Sequence, residues 1–304
     1  MASGPQSPLV VDIKRNSLDD GPGIRSVVFF KGCPLRCVWC QNPESLSAKA
    51  QIQLEPERCL DCGDCLAACP DQIATSAREQ RPSPQCRVCG SCVEACPSGA
   101  RRIVGTVYTI EQLFELVAKD EPFYRHSGGG VTFSGGEPAL FPHFAGDLAR
   151  LLQAKGIHVL VETAGLFDWT SFEQNLMPHL SSIYFDLKIA DPEIHKQLVG
   201  TSNQAIHANL KSLIASGFKD LLVRLPLIPG VTDTYENLTA IADLINRLGL
   251  ERIKLLPYNP LWISKRRALG MQLDYQHDSF MQPEEIERCQ QVFERVGIKT
   301  TDSK

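Results

Sequence analysis

Twelve cysteines stand in this chain of 304 residues, and all but Cys289 fall between Cys33 and Cys96. Two segments share one spacing. CLDCGDCLAACP from Cys59 and CRVCGSCVEACP from Cys86 both read C-x2-C-x2-C-x3-C-P. Three cysteines at intervals of two wrap three corners of a cubane iron-sulfur cluster, and the fourth, sent away by the proline after it, ligates the other cluster. The expected ligand sets are Cys59, Cys62, Cys65 and Cys96 for one [4Fe-4S] centre, and Cys86, Cys89, Cys92 and Cys69 for the second. Zinc sites and disulfides also use C-x2-C pairs. The third cysteine and the Cys-Pro exit, each repeated, weigh against them.

Upstream, KGCPLRCVWCQNPE carries Cys33, Cys37 and Cys40 as C-x3-C-x2-C. Three thiolates leave one iron of a [4Fe-4S] cube without a protein ligand, and an open metal position is what separates a catalytic site from a closed structural one. A zinc knuckle, or a cluster with a distant fourth ligand, shares this spacing. Cys289 differs: with Ile286, Phe293 and Val296 it shares one face of a helical pattern, which marks a packed thiol rather than a ligand.

The remaining composition is that of a soluble globular chain, 43% hydrophobic and 22% charged, long enough to bury a core without disulfide staples. A net charge of -4 gives no global attraction to nucleic acid or an anionic membrane; neither is an expected partner. The start, MASGPQSPLVVDIKRN, lacks the build of a secretory signal. No apolar run approaches a membrane span. Reduced cytoplasmic thiols holding metal are the expectation.

Something must bring these groups together. With residues 51–103 set aside as an insertion, residues 1–50 and 104–304 alternate β-rich runs with amphipathic helical stretches. The runs fall at 23–30, 131–134, 158–162, 183–188, 221–227 and 252–256, and the helical stretches at 110–119, 143–155, 171–177, 203–216 and 235–247. Such alternation argues for an α/β fold with parallel strands and right-handed crossovers. Six units suit a partial barrel, with active groups at the C-terminal strand ends; a doubly wound open sheet is the alternative. Residues 258–281 read as irregular, and 283–296 as a closing helix with Pro283 in its first turn and Glu284 and Glu285 near its positive end.

The strand ends carry polar groups. Ser134-Gly135-Gly136-Glu137-Pro138 follows the second run, where two glycines let the backbone approach a ligand closely. Glu162 and Thr163 end the third run, and Asp186-Leu187-Lys188 the fourth. Oxygens of Glu162, Thr163 and Asp186 could coordinate a hard cation, and Lys188 could meet a carboxylate. Each of these alone also reads as a plain turn or a solvated loop end.

Taken together, the C-x3-C-x2-C triplet and the Gly-Gly-Glu after the second strand resemble the radical S-adenosylmethionine superfamily. Within it, DGPGIRSVVFFKGCPLRCVWCQNPE, SGGGVTFSGGEP, YFDLK, HKQLVG, VRLPLIPGVTD and LLPYN resemble the glycyl-radical-enzyme activating enzymes, through nearly the whole chain. Residues 55–103 resemble bacterial two-cluster ferredoxins. The resemblance implies a partial (β/α)6 radical SAM barrel with a ferredoxin-like two-[4Fe-4S] insertion after its first strand.

It also implies roles. S-adenosylmethionine would bind the open iron held by Cys33, Cys37 and Cys40. Trp39 and Gln41 match positions flanking the adenine, Gly135, Gly136 and Glu137 the stretch receiving the methionine amino group, and Asp186, Leu187 and Lys188 a further contact. Asn259 belongs to the same set, although a family member has His there; Asn donates a hydrogen bond but carries no charge. Glu162, Thr163 and Asp186 match a monovalent-cation site in some relatives, with Glu162 in place of Asp, and Arg224 approaches the same ligand.

The implied reaction is reductive cleavage of S-adenosylmethionine to methionine and a 5'-deoxyadenosyl radical, which abstracts hydrogen from a backbone glycine of a partner glycyl radical enzyme. Flavodoxin or ferredoxin is the expected electron donor, and an anaerobic cytoplasm the expected setting. The rival readings are an electron-transfer iron-sulfur protein and a radical enzyme acting on a small molecule or peptide.

Overall fold

The computed structural model of the chain describes residues 7–75 and 85–301. Residues 76–84 of the expected insertion, and the outermost ends of the expected barrel span, lie outside the described residues. The strands are β1 (Leu9–Ser17), β2 (Arg25–Lys31), β3 (Gln51–Leu54), β4 (Arg101–Val104), β5 (Thr106–Val107), β6 (Gly130–Gly135), β7 (His158–Thr163), β8 (Ser182–Asp186), β9 (Leu221–Pro226), β10 (Arg252–Leu256) and β11 (Lys299–Thr301).

One nine-stranded sheet runs β11-β10-β9-β8-β7-β6-β2-β1-β5. From β2 to β11 every pairing is parallel, whereas β1 pairs antiparallel with both β2 and β5. The six anticipated strands thus lie side by side in chain order. A doubly wound sheet reverses its strand order at a switch point, and no reversal occurs among these parallel strands. They read as apolar runs because parallel strands are covered on both faces: Val131 and Phe133 of β6, Val159 and Val161 of β7, and Val223 and Leu225 of β9 are all buried.

Five helices match their anticipated positions closely: Ile110–Ala118, Pro142–Ala154, Trp169–Asn175, Gln204–Ala215 and Tyr235–Arg247. Local chemistry sets their starts. Thr109 and Gln112 form a reciprocal capping box, and the side chains of Asp168 and Thr234 accept from the backbone N–H groups of Ser171 and Asn237, satisfying donors the helix itself leaves free. Among the described residues no helix is long and apolar enough to cross a membrane.

Several elements differ from expectation. Strand β1, the edge strand β11 and the helices Glu121–Ser127 and Pro192–Val199 were not anticipated, and the irregular reading of 258–281 gives way to a helix at Trp262–Ala268. β11 and these helices are short, so too few turns or alternations accumulate for a period to emerge, whereas the nine residues of β1 lose their alternation at two irregularities in its register with β2. The closing helix is Pro283–Glu294 rather than 283–296. Gly297 takes the left-handed conformation at φ +82 and turns the chain away, leaving Val296 44% exposed. Cys289 and Phe293 are fully buried, so the packed face lacks only Val296.

β3 and β4 pair antiparallel, Leu54 opposite Arg101, as a separate two-stranded sheet. Residues 55–100 therefore leave and return at one point.

Candidate active site

The cysteine triplet follows β2 and lies in a loop tied from several sides. Gly32 N–H donates to Ser45 O at 2.7 Å and Cys33 N–H to Leu46 O at 3.3 Å; Arg36 N–H and Val38 N–H donate to Val199 O and Leu198 O at 2.8 and 3.1 Å. The last two acceptors end the helix Pro192–Val199, which Asp191 caps and Gly200 stops at φ +92. This accounts for the HKQLVG segment: the terminal carbonyls of the helix, which have no partner inside it, hold the loop. On another side, Arg266 donates to Cys37 O at 3.1 Å, and Lys265 to Gln41 O at 3.1 Å and Glu44 Oε1 at 3.0 Å. Nothing in the sequence reading pointed to this pair, since Lys-Arg-Arg on a short helix reads as a solvated face.

Beside the loop, β6 ends in two glycines that cannot be replaced without movement. A Cβ on Gly135, at φ +97, would lie 2.6 Å from Phe30 O, and one on Gly136 would lie 2.1 Å from Gly32 O. The backbones touch: Gly136 N–H donates to Phe30 O and Glu137 N–H to Gly32 O, both at 2.8 Å.

A cavity of about 1180 Å³, counting its open mouth, unites these parts. Its wall includes Cys33, Cys37, Trp39, Cys40 and Gln41 from the loop, Gly135 and Gly136 after β6, and Glu162, Thr163, Asp186, Lys188, Arg224 and Asn259 from the other strand ends. Gln41 Nε2 donates to Asn259 O at 3.2 Å, joining first unit to last. Asp19 and Asp20, from the turn before β2, also line the cavity; no spacing in the sequence singles them out, although Asp20 opens the DGPG segment.

Two expected residues are not in this wall. Leu187 is a core side chain, 2% exposed. Glu137 is fully buried and turns to the neighbouring strand end, accepting from Thr163 Oγ1 at 2.9 Å, Ala164 N–H at 2.8 Å and Ala139 N–H at 3.1 Å. Burial pushes its carboxyl up to about 7 against those donors.

The carboxylates expected around a cation are already engaged. Arg224 donates from Nε to Asp186 Oδ1 at 2.8 Å and from a terminal nitrogen to Glu162 Oε1; Ser134 Oγ donates to Glu162 Oε2 at 2.6 Å, and Lys188 Nζ to Asp186 Oδ2 at 3.4 Å. Thr163 Oγ1 serves Glu137 and accepts from Gly165 N–H. As arranged, these residues do not fit a monovalent cation, because a guanidinium supplies the positive charge. Burial works against the Asp186 carboxylate, yet Arg224 and Lys188 hold it below the usual range; burial likewise works against charged Lys188, but Asp186 keeps it raised.

Burial raises all three loop thiols, Cys40 to about 12. Such thiols stay protonated unless a metal takes the proton's place. The other eight cysteines divide between two hollows in 55–100. One of about 420 Å³ is lined by Cys59, Cys62, Cys65 and Cys96, the other of about 470 Å³ by Cys69, Cys86, Cys89 and Cys92. Four thiols around a hollow suit a multi-atom cluster. Gly63 and Gly90, both left-handed, start matching short helices at Asp64–Ala67 and Ser91–Glu94, so the sequence repeat is also a repeat of backbone.

Comparison with known proteins agrees with this geometry. The Radical SAM superfamily model matches residues 27–245, and proteins of that superfamily work with a [4Fe-4S] cluster and S-adenosylmethionine. The benzylsuccinate synthase activating enzyme of Thauera aromatica is 35% identical over 97% of this chain and 92% of its own length. The trans-4-hydroxy-L-proline dehydratase activating enzyme of Clostridioides difficile is 38% identical over 97% and 98%. A radical SAM methyltransferase from Sphaerobacter thermophilus shares the fold, with TM-score 0.53 and 17% identity over 98% of this chain and 77% of that one. The chain belongs to the radical SAM superfamily and, within it, to the activating enzymes of glycyl radical enzymes.

Proposed function

We propose that the cavity at the strand ends is where this chain binds S-adenosylmethionine to activate its glycyl radical enzyme. The observation that carries this is the single wall shared by Cys33, Cys37 and Cys40 with Gly135, Gly136, Asp186 and Lys188. Cys33, Cys37 and Cys40 would hold a [4Fe-4S] cluster by three irons. Its chemistry, when bound, is one-electron cleavage of S-adenosylmethionine to methionine and a 5'-deoxyadenosyl radical that takes hydrogen from the partner's backbone glycine. Lys188 would face the methionine carboxylate, and the exposed backbone of Gly135 and Gly136 its amino group. Trp39, 3% exposed, and Gln41 would flank the adenine. A reactive carbon centre must be kept from water and stray C–H bonds.

Residues 51–103 form, in this reading, a ferredoxin-like insertion with two further clusters, on Cys59, Cys62, Cys65 and Cys96 and on Cys69, Cys86, Cys89 and Cys92. Each quartet lines its own hollow, which supports the crossed ligand sets. The clusters would relay electrons from flavodoxin or ferredoxin.

The test is anaerobic incubation of iron-reconstituted protein with reductant, S-adenosylmethionine and candidate glycyl radical enzymes. Formation of 5'-deoxyadenosine together with a glycyl radical in one candidate is expected. Fully assembled protein that releases no 5'-deoxyadenosine would overturn the proposal.

A further inference from the structure

The two cysteine hollows of the insertion share one residue. Arg101 lines the hollow of Cys59, Cys62, Cys65 and Cys96 and also that of Cys69, Cys86, Cys89 and Cys92. Its backbone is fixed, since Arg101 opens β4 and pairs with Leu54. The residue is 6% exposed, and among the described residues its Nε has no hydrogen-bond partner. A terminal nitrogen donates to Thr75 O. The other described arginines of the insertion behave differently: Arg58 and Arg102 pair with Glu55, and Arg87 with Asp71. Among the described residues no carboxylate pairs with Arg101.

A guanidinium keeps its charge when buried, has five donors and no acceptor, and is costly to bury without an anion. Here the walls around it offer thiols instead. Four thiolates around an iron-sulfur cube make a net anion on either side, which would complete the charge balance that the protein alone leaves open. Net charge and hydrogen bonds to sulfur are among the terms that set cluster potentials. Each cube becomes one unit more negative on taking up an electron, so a cation between two cubes stabilises the reduced form of both.

Resting on the two-cluster reading above, we propose that Arg101 is a shared potential-setting residue: a single buried guanidinium, placed between the two auxiliary clusters, that raises the reduction potentials of both. It touches neither substrate nor the triplet site, and acts by charge and by donation to cluster sulfur. The chain thereby keeps two neighbouring clusters in step with one side chain.

The experiment compares reconstituted full-length wild type, Arg101→Met and Arg101→Lys. Iron and sulfide are counted first, and the clusters are then titrated with a chemical reductant while electron paramagnetic resonance is recorded. Arg101→Met should keep the full iron complement while both auxiliary potentials shift downward, with the triplet cluster unmoved; Arg101→Lys should shift them less. Unmoved potentials, or a shift in only one cluster, would overturn the proposal. A wild type that holds iron for one cluster alone would sink the two-cluster reading instead. Should Arg101→Met fail to load, pulsed resonance on reduced wild type grown with 15N-arginine decides: nitrogen coupling to both auxiliary clusters, lost in Arg101→Lys, supports the proposal, and its absence overturns it.

Discussion

Arg224 and Asp186 sit directly opposite each other on adjacent parallel strands, and the guanidinium Nε donates to the carboxylate at 2.8 Å. Arg224 simultaneously reaches Glu162 on the next strand. All three side chains are largely buried, so this is one charge cluster knitting three strand ends. S-adenosylmethionine affinity is therefore expected to be the same in sodium, potassium and a bulky organic cation. Removing the guanidinium as Arg224→Met leaves the buried Glu162 carboxylate without a cation and Asp186 with Lys188 alone, at roughly 3–5 kcal/mol. That variant should unfold at lower temperature and regain affinity when a small monovalent cation is added. Cation-dependent binding by the wild type, followed calorimetrically, would contradict this.

Arg266 and Lys265 brace the cysteine loop from the opposite side. A hydrogen bond from a charged donor contributes about 1.5–3 kcal/mol, so Arg266→Met should lose iron to a chelator about tenfold faster or more. The fold should survive, because Arg266 also serves Gln272 O in a peripheral segment. Equal rates of iron loss would remove this role.

Glu137 lies inside the motif that resembles a ligand-binding stretch, yet its carboxylate is spent on protein donors. Glu137→Ala would orphan the N–H of Ala164 and Ala139 and the hydroxyl of Thr163 in a dry interior, at about 1–3 kcal/mol per group. The expected result is a sharp fall in melting temperature before any selective loss of S-adenosylmethionine binding. Normal stability with weakened binding would reverse that assignment.

His158, at the start of β7, is half-buried next to Arg25, whose guanidinium contacts Nδ1 at 3.2 Å. Arg has no acceptor, so Nδ1 must be the lone-pair nitrogen and Nε2–H donates to Ser182 Oγ at 3.1 Å. Burial, then Arg25, lower its pKa below 6.5. The unfolded chain consequently binds the proton more readily, and stability is lost as pH falls below 6.5 towards the depressed folded value. Thermal unfolding between pH 7.5 and 5.5 should show the loss, and His158→Gln should flatten it; an unchanged slope would exclude His158 as the source.

If the two quartets relay electrons, Cys59→Ala and Cys86→Ala, made separately, should cleave S-adenosylmethionine normally with a strong chemical reductant and fail with a flavodoxin or ferredoxin donor. Identical rates with either donor would argue for a structural role.

Much of the fold was legible because parallel strands covered on both faces leave apolar runs, and five intervening helices are long enough to declare a period. β1, β11 and the helix Trp262–Ala268 were not: breaks in register interrupt the alternation of β1, and the other two are short, so their conformation depends on what they pack against. The site was legible where chemistry needs a fixed spacing. Cys33, Cys37 and Cys40 stand close in the chain, and Gly135-Gly136 is demanded by backbone approach. Lys265, Arg266, Asp19 and Asp20 carried no such pattern.

By itself the sequence determined the thiol spacings and, through strand-helix alternation, a sheet of parallel strands, with the order of those strands left open between a partial barrel and a doubly wound sheet. Only the tertiary structure decided which groups face one another. Glu137 and Leu187 turn into the protein, Arg224 stands where a cation was expected, and Arg101 lines both cysteine hollows. Side-chain direction and charge pairing arise from contacts between residues far apart in the chain, which local spacing cannot encode.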